Sequence, residues 1–232
     1  MAVAVLAYAF GPYFWIGASV DPGRAASLAT PLDERIPFVA GSIWIYAAVY
    51  VLIGLPAFVV ESPALFRRVV LAYLVVITVC LVCFLVFPIS GAPLRPALEG
   101  VDASAFVLWG LRLNYGLDPP VNLFPSMHLA GATIAAFSAW QARRAYGALA
   151  FALVVPVAIS VCTVKQHYWL DAAAGVLLAA GVWAWLLRGF LPPPGERPAR
   201  GPGSLVAFVG FLASVYAALY AAFRAGLEPW TW

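Results

Sequence analysis

The chain has 232 residues, of which 64% are hydrophobic and 10% charged, with a formal net charge of +3. Soluble domains run near 45–50% apolar and about 25% charged, so the composition excludes a soluble enzyme and a disordered segment. The small positive charge is scattered over separated loops, which excludes a nucleic-acid binder.

A bilayer-spanning helix needs about 20 mostly apolar residues. The first such run covers 2–20; without a basic start or a cleavage site it reads as a retained span. A polar stretch, 21–35, leads to a second run at 38–60, and Arg67 and Arg68 close the loop before a third at 69–87. The Pro-, Gly- and Asn-containing segment 88–124 is a long polar interruption, in which 103–113 is apolar enough for a short interfacial or re-entrant helix. A fourth helix is expected over 125–141, and further spans over 146–164, 168–189 and 204–223. The expectation is a single all-α domain over 1–232, a polytopic transmembrane bundle of six core spans plus one C-terminal addition.

Seven spans put the loops on alternating sides. One side collects Arg67, Arg68, Arg143, Arg144, Arg188, Arg197 and Arg200, and the other holds six basic residues and eight of the ten acids. Setting aside Arg95 and Lys165 as site residues leaves seven Lys/Arg against four, which places the arginine side in the cytoplasm. The expected location is a bacterial cytoplasmic membrane with the site on the extracytoplasmic face. Cys80, Cys83 and Cys162 lie inside apolar runs and read as packing residues. Trp15, Trp44, Trp109 and Trp169 read as an interfacial belt, and Arg112 and Asp118 as solvated loop residues.

Three pieces of sequence meet on the outer side: Ala92-Pro-Leu-Arg-Pro96, Phe124-Pro-Ser-Met-His128 and Lys165-Gln-His-Tyr-Trp-Leu-Asp171. They contain both histidines and the only lysine of the chain. Polar residues at membrane depth are costly and usually functional. His167 and Asp171 are four residues apart, so on a helix they share a face. The carboxylate can then accept from Nδ1 and leave Nε2 nucleophilic. Ser126 and His128 fall at a helix start, where free amides and the positive dipole end favour an anion. Arg95 and Lys165 would add two cations. Such a set suits attack by His167 on a phosphoryl group, with His128 as general acid to the leaving oxygen.

These residues resemble the signature of the type-2 phosphatidate phosphatase superfamily: K-x6-R-P, then P-S-x-H, then S-R-x5-H-x3-D. The chain has Arg95-Pro96, Pro125-Ser126-Met127-His128, and Ser160 with His167 and Asp171 at the family spacing. The likeness covers about 33–185, leaving 204–223 as an extra span. It implies six core spans, a metal-independent reaction without cofactor, catalytic roles for His167, His128 and Asp171, and phosphate contacts from Arg95, Ser126 and Lys165. Two family cations are replaced, by Pro88 and Val161. The Lys-Gln-His stretch and Asn122-Leu-Phe-Pro-Ser-Met-His resemble the branch containing inositol phosphorylceramide synthases, in which a headgroup is transferred between lipids. The expected activity is therefore a lipid-phosphate phosphatase, or alternatively a lipid phosphotransferase, whose partners are the bilayer and a membrane lipid. Haem ligation by two histidines and a serine hydrolase built on Ser126 explain fewer of these residues.

Overall fold

The computed structural model describes residues 2–228, which form ten α-helices joined by short 3-10 turns and loops. In chain order they are α1 (Ala2–Ser19), α2 (Pro31–Arg35), α3 (Ile43–Leu52), α4 (Leu55–Val59), α5 (Pro63–Val86), α6 (Ala105–Leu117), α7 (Met127–Ala142), α8 (Arg144–Thr163), α9 (Trp169–Leu186) and α10 (Gly203–Arg224). The protein is all-α. Among the described residues four helices, α5, α8, α9 and α10, are long and apolar enough to cross a bilayer.

Two expected spans take a different form. The 38–60 run is broken between α3 and α4, where Gly54 and Pro56 interrupt the ladder because proline has no N–H to donate. The expected 125–141 helix is α7, whose 16 residues rise only about 24 Å, less than a hydrocarbon core of about 30 Å. The interfacial helix expected at 103–113 is α6, capped by Ser104, whose Oγ accepts from the Val107 N–H at 3.4 Å.

Helix starts follow local chemistry. Ser62 caps α5, accepting from the Leu65 N–H at 3.0 Å, with Pro63 at the first helical position. Ser126 caps α7, accepting from the Leu129 N–H at 3.3 Å. In α2 the Thr30 N–H and hydroxyl both donate to Asp33 Oδ2, at 2.9 and 2.8 Å.

The centre of the bundle is α7, which packs on α8 and α9 and also touches α3, α4 and α5. Its wall is built of small side chains: Ala130, Ala132, Ala135, Ala136 and Ala139 are fully buried. Small residues let helix backbones approach closely. Two glycines require it here. A Cβ at Gly147 of α8 would fall 2.4 Å from Trp140 Cα of α7, and one at Gly175 of α9 would fall 2.4 Å from the Ser126 carbonyl oxygen.

The helices present two chemically distinct ends. At one, Ser62 donates to the Glu196 carboxylate, the Arg68 guanidinium donates to the Leu186 carbonyl at 3.1 Å, and Tyr146 donates to the Arg200 carbonyl at 2.9 Å. At the other, Ile89 pairs in isolated bridges with Ala26 and Asn122, drawing three loops together over the starts of α7 and α9. The expected tryptophan belt is reshaped by packing. Only Trp15 is strongly exposed among the four, whereas Trp44 stacks on Phe106, and the indole N–H groups of Trp109 and Trp169 donate to Leu227 and Thr30.

Candidate active site

His167 sits in the turn between α8 and α9. Lys165, at φ 57°, lies in the left-handed region and reverses the chain there, so that the N–H groups of Gln166 and His167 both donate to the Val161 carbonyl at 3.1 Å. The imidazole that follows is buried, and its Nδ1 lies 3.0 Å from Oδ2 of the fully buried Asp171. The other carboxylate oxygen, Oδ1, accepts from the Ala172 N–H at 2.9 Å, so Asp171 is held at both oxygens. That arrangement leaves His167 Nε2 facing Ser126 Oγ at 3.3 Å.

Ser126 is fixed by three bonds. Its N–H donates to the Asp171 carbonyl at 3.0 Å, its Oγ caps α7, and the same Oγ meets His167. The start of α7 and the first turn of α9 are thus joined through backbone, with Gly175 leaving room for the contact. First-turn amides of a helix favour negative charge nearby.

His128, in the first turn of α7, brings its ring within 5.8 Å of the His167 ring, at 65° between planes. Tyr13 from α1 and Tyr46 and Tyr50 from α3 stand edge-on around it, at 6.5, 5.8 and 5.2 Å between ring centres. Its Nε2 lies 3.4 Å from Asp118 Oδ1.

Asp118 corrects the sequence reading, which treated it as a solvated loop residue. It is 3% exposed and is the most heavily hydrogen-bonded side chain of the site. Oδ1 accepts from Tyr13 at 3.1 Å. Oδ2 accepts from Tyr46 at 3.2 Å, Tyr50 at 3.0 Å, Gln166 at 2.9 Å and Asn114 at 3.4 Å. A buried charge is tolerated only when such donors replace water. Tyr46 and Tyr50 are four apart on α3, and Gln166 precedes His167; those were the available sequence signals. Arg112 is exposed, as expected, but it lies within α6 rather than in a loop.

The two expected cations are engaged with backbone. Arg95 donates from Nη1 to the Tyr115 carbonyl and from Nη2 to the Asp118 carbonyl, both at 3.0 Å, and lies over the Tyr115 ring; its buried Nε–H has no partner. Lys165 Nζ donates to the Asp33 and Ile36 carbonyls at 2.8 and 2.6 Å, anchoring the end of α2. Ser160 donates to the Val157 carbonyl within its own helix at 2.8 Å.

Beside the histidines is an apolar cavity of about 290 Å³ between α1, α3, α5 and α7. Tyr13, Tyr50, Asp118 and His128 form its polar end, while Phe10, Phe14, Val76 and Ile77 are among its apolar walls.

A base held by a buried acid, a hydroxyl at a helix start and a second histidine opposite can exchange a phosphoryl group between oxygen and nitrogen. These residues fall within a region matched by a family model. No curated protein and no solved structure matches the chain. The PAP2 superfamily model matches residues 24–185, more than half of the chain and all of the Arg95, Ser126-to-His128 and Lys165-to-Asp171 pieces, and the protein belongs to that superfamily, whose members are phosphatase-like enzymes of lipid phosphates.

Proposed function

We propose that the protein is a membrane-embedded lipid-phosphate phosphatase that works through a phosphohistidine on His167. The observation that carries this reading is the Asp171–His167–Ser126 chain. Asp171 holds Nδ1, which leaves Nε2 directed at the helix start that Ser126 caps. Nε2 forms the P–N bond as the P–O bond to the lipid breaks, and His128 gives a proton to the departing oxygen. Water then attacks phosphorus, His128 takes its proton, and inorganic phosphate leaves. Ser126, Arg95 through its unpartnered Nε–H and Lys165 through the hydrogen not donated to carbonyls are assigned to the phosphate oxygens. Donors fixed in advance around developing charge supply much of such catalysis.

The apolar cavity beside His128 supports a lipid substrate, a phospholipid or a polyisoprenoid phosphate or diphosphate. In the membrane arrangement we propose, α1, the 38–60 region, α5, α7, α8 and α9 form six core spans and α10 is an addition. The arginine-rich end faces the cytoplasm and the histidine end the outer side of a bacterial cytoplasmic membrane. A second reading, transfer of a phosphoryl headgroup to an acceptor alcohol as in the inositol phosphorylceramide synthase-like branch, is favoured by Pro88 and Val161 at the family's cation positions. Fewer cations suit a phosphodiester, which carries less charge than a monoester.

The test is to incubate purified protein and EDTA with a panel of labelled lipid monoesters, diphosphates and diesters, with and without acceptor alcohols. The expected result is an acid-labile, base-stable phosphoenzyme absent from His167→Ala, with free phosphate as product. Turnover by His167→Ala, or activity that returns only with added metal, would overturn the reading; headgroup transfer would select the transferase.

A further inference from the structure

We propose that Asp118 is a positioning residue for His128, holding a proton on Nε2 so that Nδ1 is the nitrogen that serves the substrate. This rests on the phosphohistidine reading above. The geometry gives the site two histidine–carboxylate pairs of opposite sense. Asp171 meets His167 at Nδ1, whereas Asp118 meets His128 at Nε2. One ring is thereby prepared to attack through Nε2 and the other to deliver a proton through Nδ1.

The 3.4 Å contact is longer than a good hydrogen bond, as catalytic contacts often are before substrate binds. The groups facing His128 are Asp118 at the end of α6, Tyr13 of α1, Tyr46 and Tyr50 of α3, and His167. Asp118 is the one carboxylate among them. The donors around it divide unequally between its oxygens: four side chains donate to Oδ2, while Oδ1 is shared by Tyr13 and His128. The four-donor oxygen is thus a fixed anchor, and Oδ1 is the one turned to the histidine.

Proton flow then balances without another group. His128 enters as the imidazolium; as the His167–phosphorus bond forms and the P–O bond breaks, its Nδ1 proton passes to the leaving oxygen, and the Nε2–H stays on the ring, facing Asp118. In the second half the incoming water or alcohol returns a proton to Nδ1 as the P–N bond breaks. Asp118 keeps its charge throughout, compensating the imidazolium in each half-reaction.

Asp118→Asn separates this role from a packing role. Four donors keep the amide oxygen at the Oδ2 position, so the NH2 group must face His128 and can no longer accept from Nε2. Phosphoenzyme formation from an alkyl phosphate should slow about 100-fold or more, that from p-nitrophenyl phosphate by less than about threefold, since only the poor leaving group needs an acid. The double variant Asp118→Asn/His128→Ala should be no slower than His128→Ala alone, because both remove one function. Equal slowing of both substrates, or additive losses, would overturn the inference.

A measurement on the unmodified protein guards against a variant that does not fold. With only two histidines in the chain, nitrogen-15 histidine spectra in nanodiscs resolve both rings. His167 should be protonated at Nδ1 and His128 at Nε2; a bare Nε2 on His128 refutes the role of Asp118. Loss of phosphoenzyme in the unmodified protein, or its survival in His167→Ala, would instead refute the underlying reaction.

Discussion

Replacing Asp171 by asparagine tests how the nucleophile is prepared. In the native site Oδ1 accepts from the Ala172 N–H at 2.9 Å and Oδ2 faces His167 Nδ1 at 3.0 Å. An asparagine there has one oxygen, and the Ala172 N–H needs it. The amide NH2 is therefore turned toward His167, where it can only donate. Nδ1 must then be the bare nitrogen, the neutral ring carries its proton on Nε2, and the atom that attacks phosphorus has lost its lone pair. A wrong tautomer of this kind in a histidine–aspartate pair lowers kcat by about 10⁴-fold, or about 5.4 kcal/mol of barrier. Asp171→Ala leaves a small void and an unpaired N–H, yet it lets the ring choose either tautomer. It should therefore lose no more activity than the asparagine variant, although it is the larger change. The assay is single-turnover phosphoenzyme formation in detergent, with substrate affinity measured separately and expected to change little. An asparagine variant retaining more than about a tenth of the native rate, or an alanine variant clearly slower than the asparagine one, would refute the tautomer argument.

Three further outcomes follow from other parts of the molecule. Gly175→Ala should cost about 1–3 kcal/mol in thermal unfolding, because its Cβ would fall 2.4 Å from the Ser126 carbonyl and backbone must move. It should also slow turnover more than its stability loss explains, and unchanged kinetics would argue that Ser126 needs no fixed position. Val76→Phe, inside the cavity wall, should raise KM for long-chain substrates about 15-fold if two methylenes are excluded, and leave short-chain esters untouched. At the opposite end, donation from Ser62 Oγ and then from the Ala64 N–H holds the Glu196 carboxyl below the usual carboxylate range. A lowered folded value means stability present above the unfolded value, near 4.3, and lost as pH falls through the folded one. The Tm difference between native protein and Glu196→Gln should be constant above about pH 5 and shrink below it.

The parts of the site that sequence disclosed are those whose chemistry is local. His167 and Asp171 share one helical turn, and Ser126 and His128 follow a proline at a helix start, so spacing alone suggested the pairing. Asp118 was not legible in this way. Four of its five hydrogen-bond donors are 105, 72, 68 and 48 positions away, and Asp118-Pro-Pro reads as an ordinary polar loop until α1, α3 and α6 converge on it. The cations show the reverse error of locality: Arg95 and Lys165 carry the right charge, but nearby helix ends offer carbonyls that compete for their hydrogens. The 38–60 run illustrates a third limit. Hydropathy counts apolar residues and passes over the Gly54–Pro56 break, which a reading of backbone donors would have marked.

The region shared with the superfamily begins at residue 24, yet α1 lies before it. Tyr13 reaches from α1 to Asp118, Gly17 packs so closely on Pro119 that an added Cβ would fall 2.4 Å from its ring, and Asn122 donates to the Tyr13 carbonyl at 2.8 Å. The opening helix is thus wired into the loop that carries the second carboxylate. A hybrid made by exchanging this helix for that of another family member would inherit an acid with an unanswered lone pair. Divergence in the first twenty residues is therefore a route by which this chain could tune its chemistry without touching the motifs that define its kind.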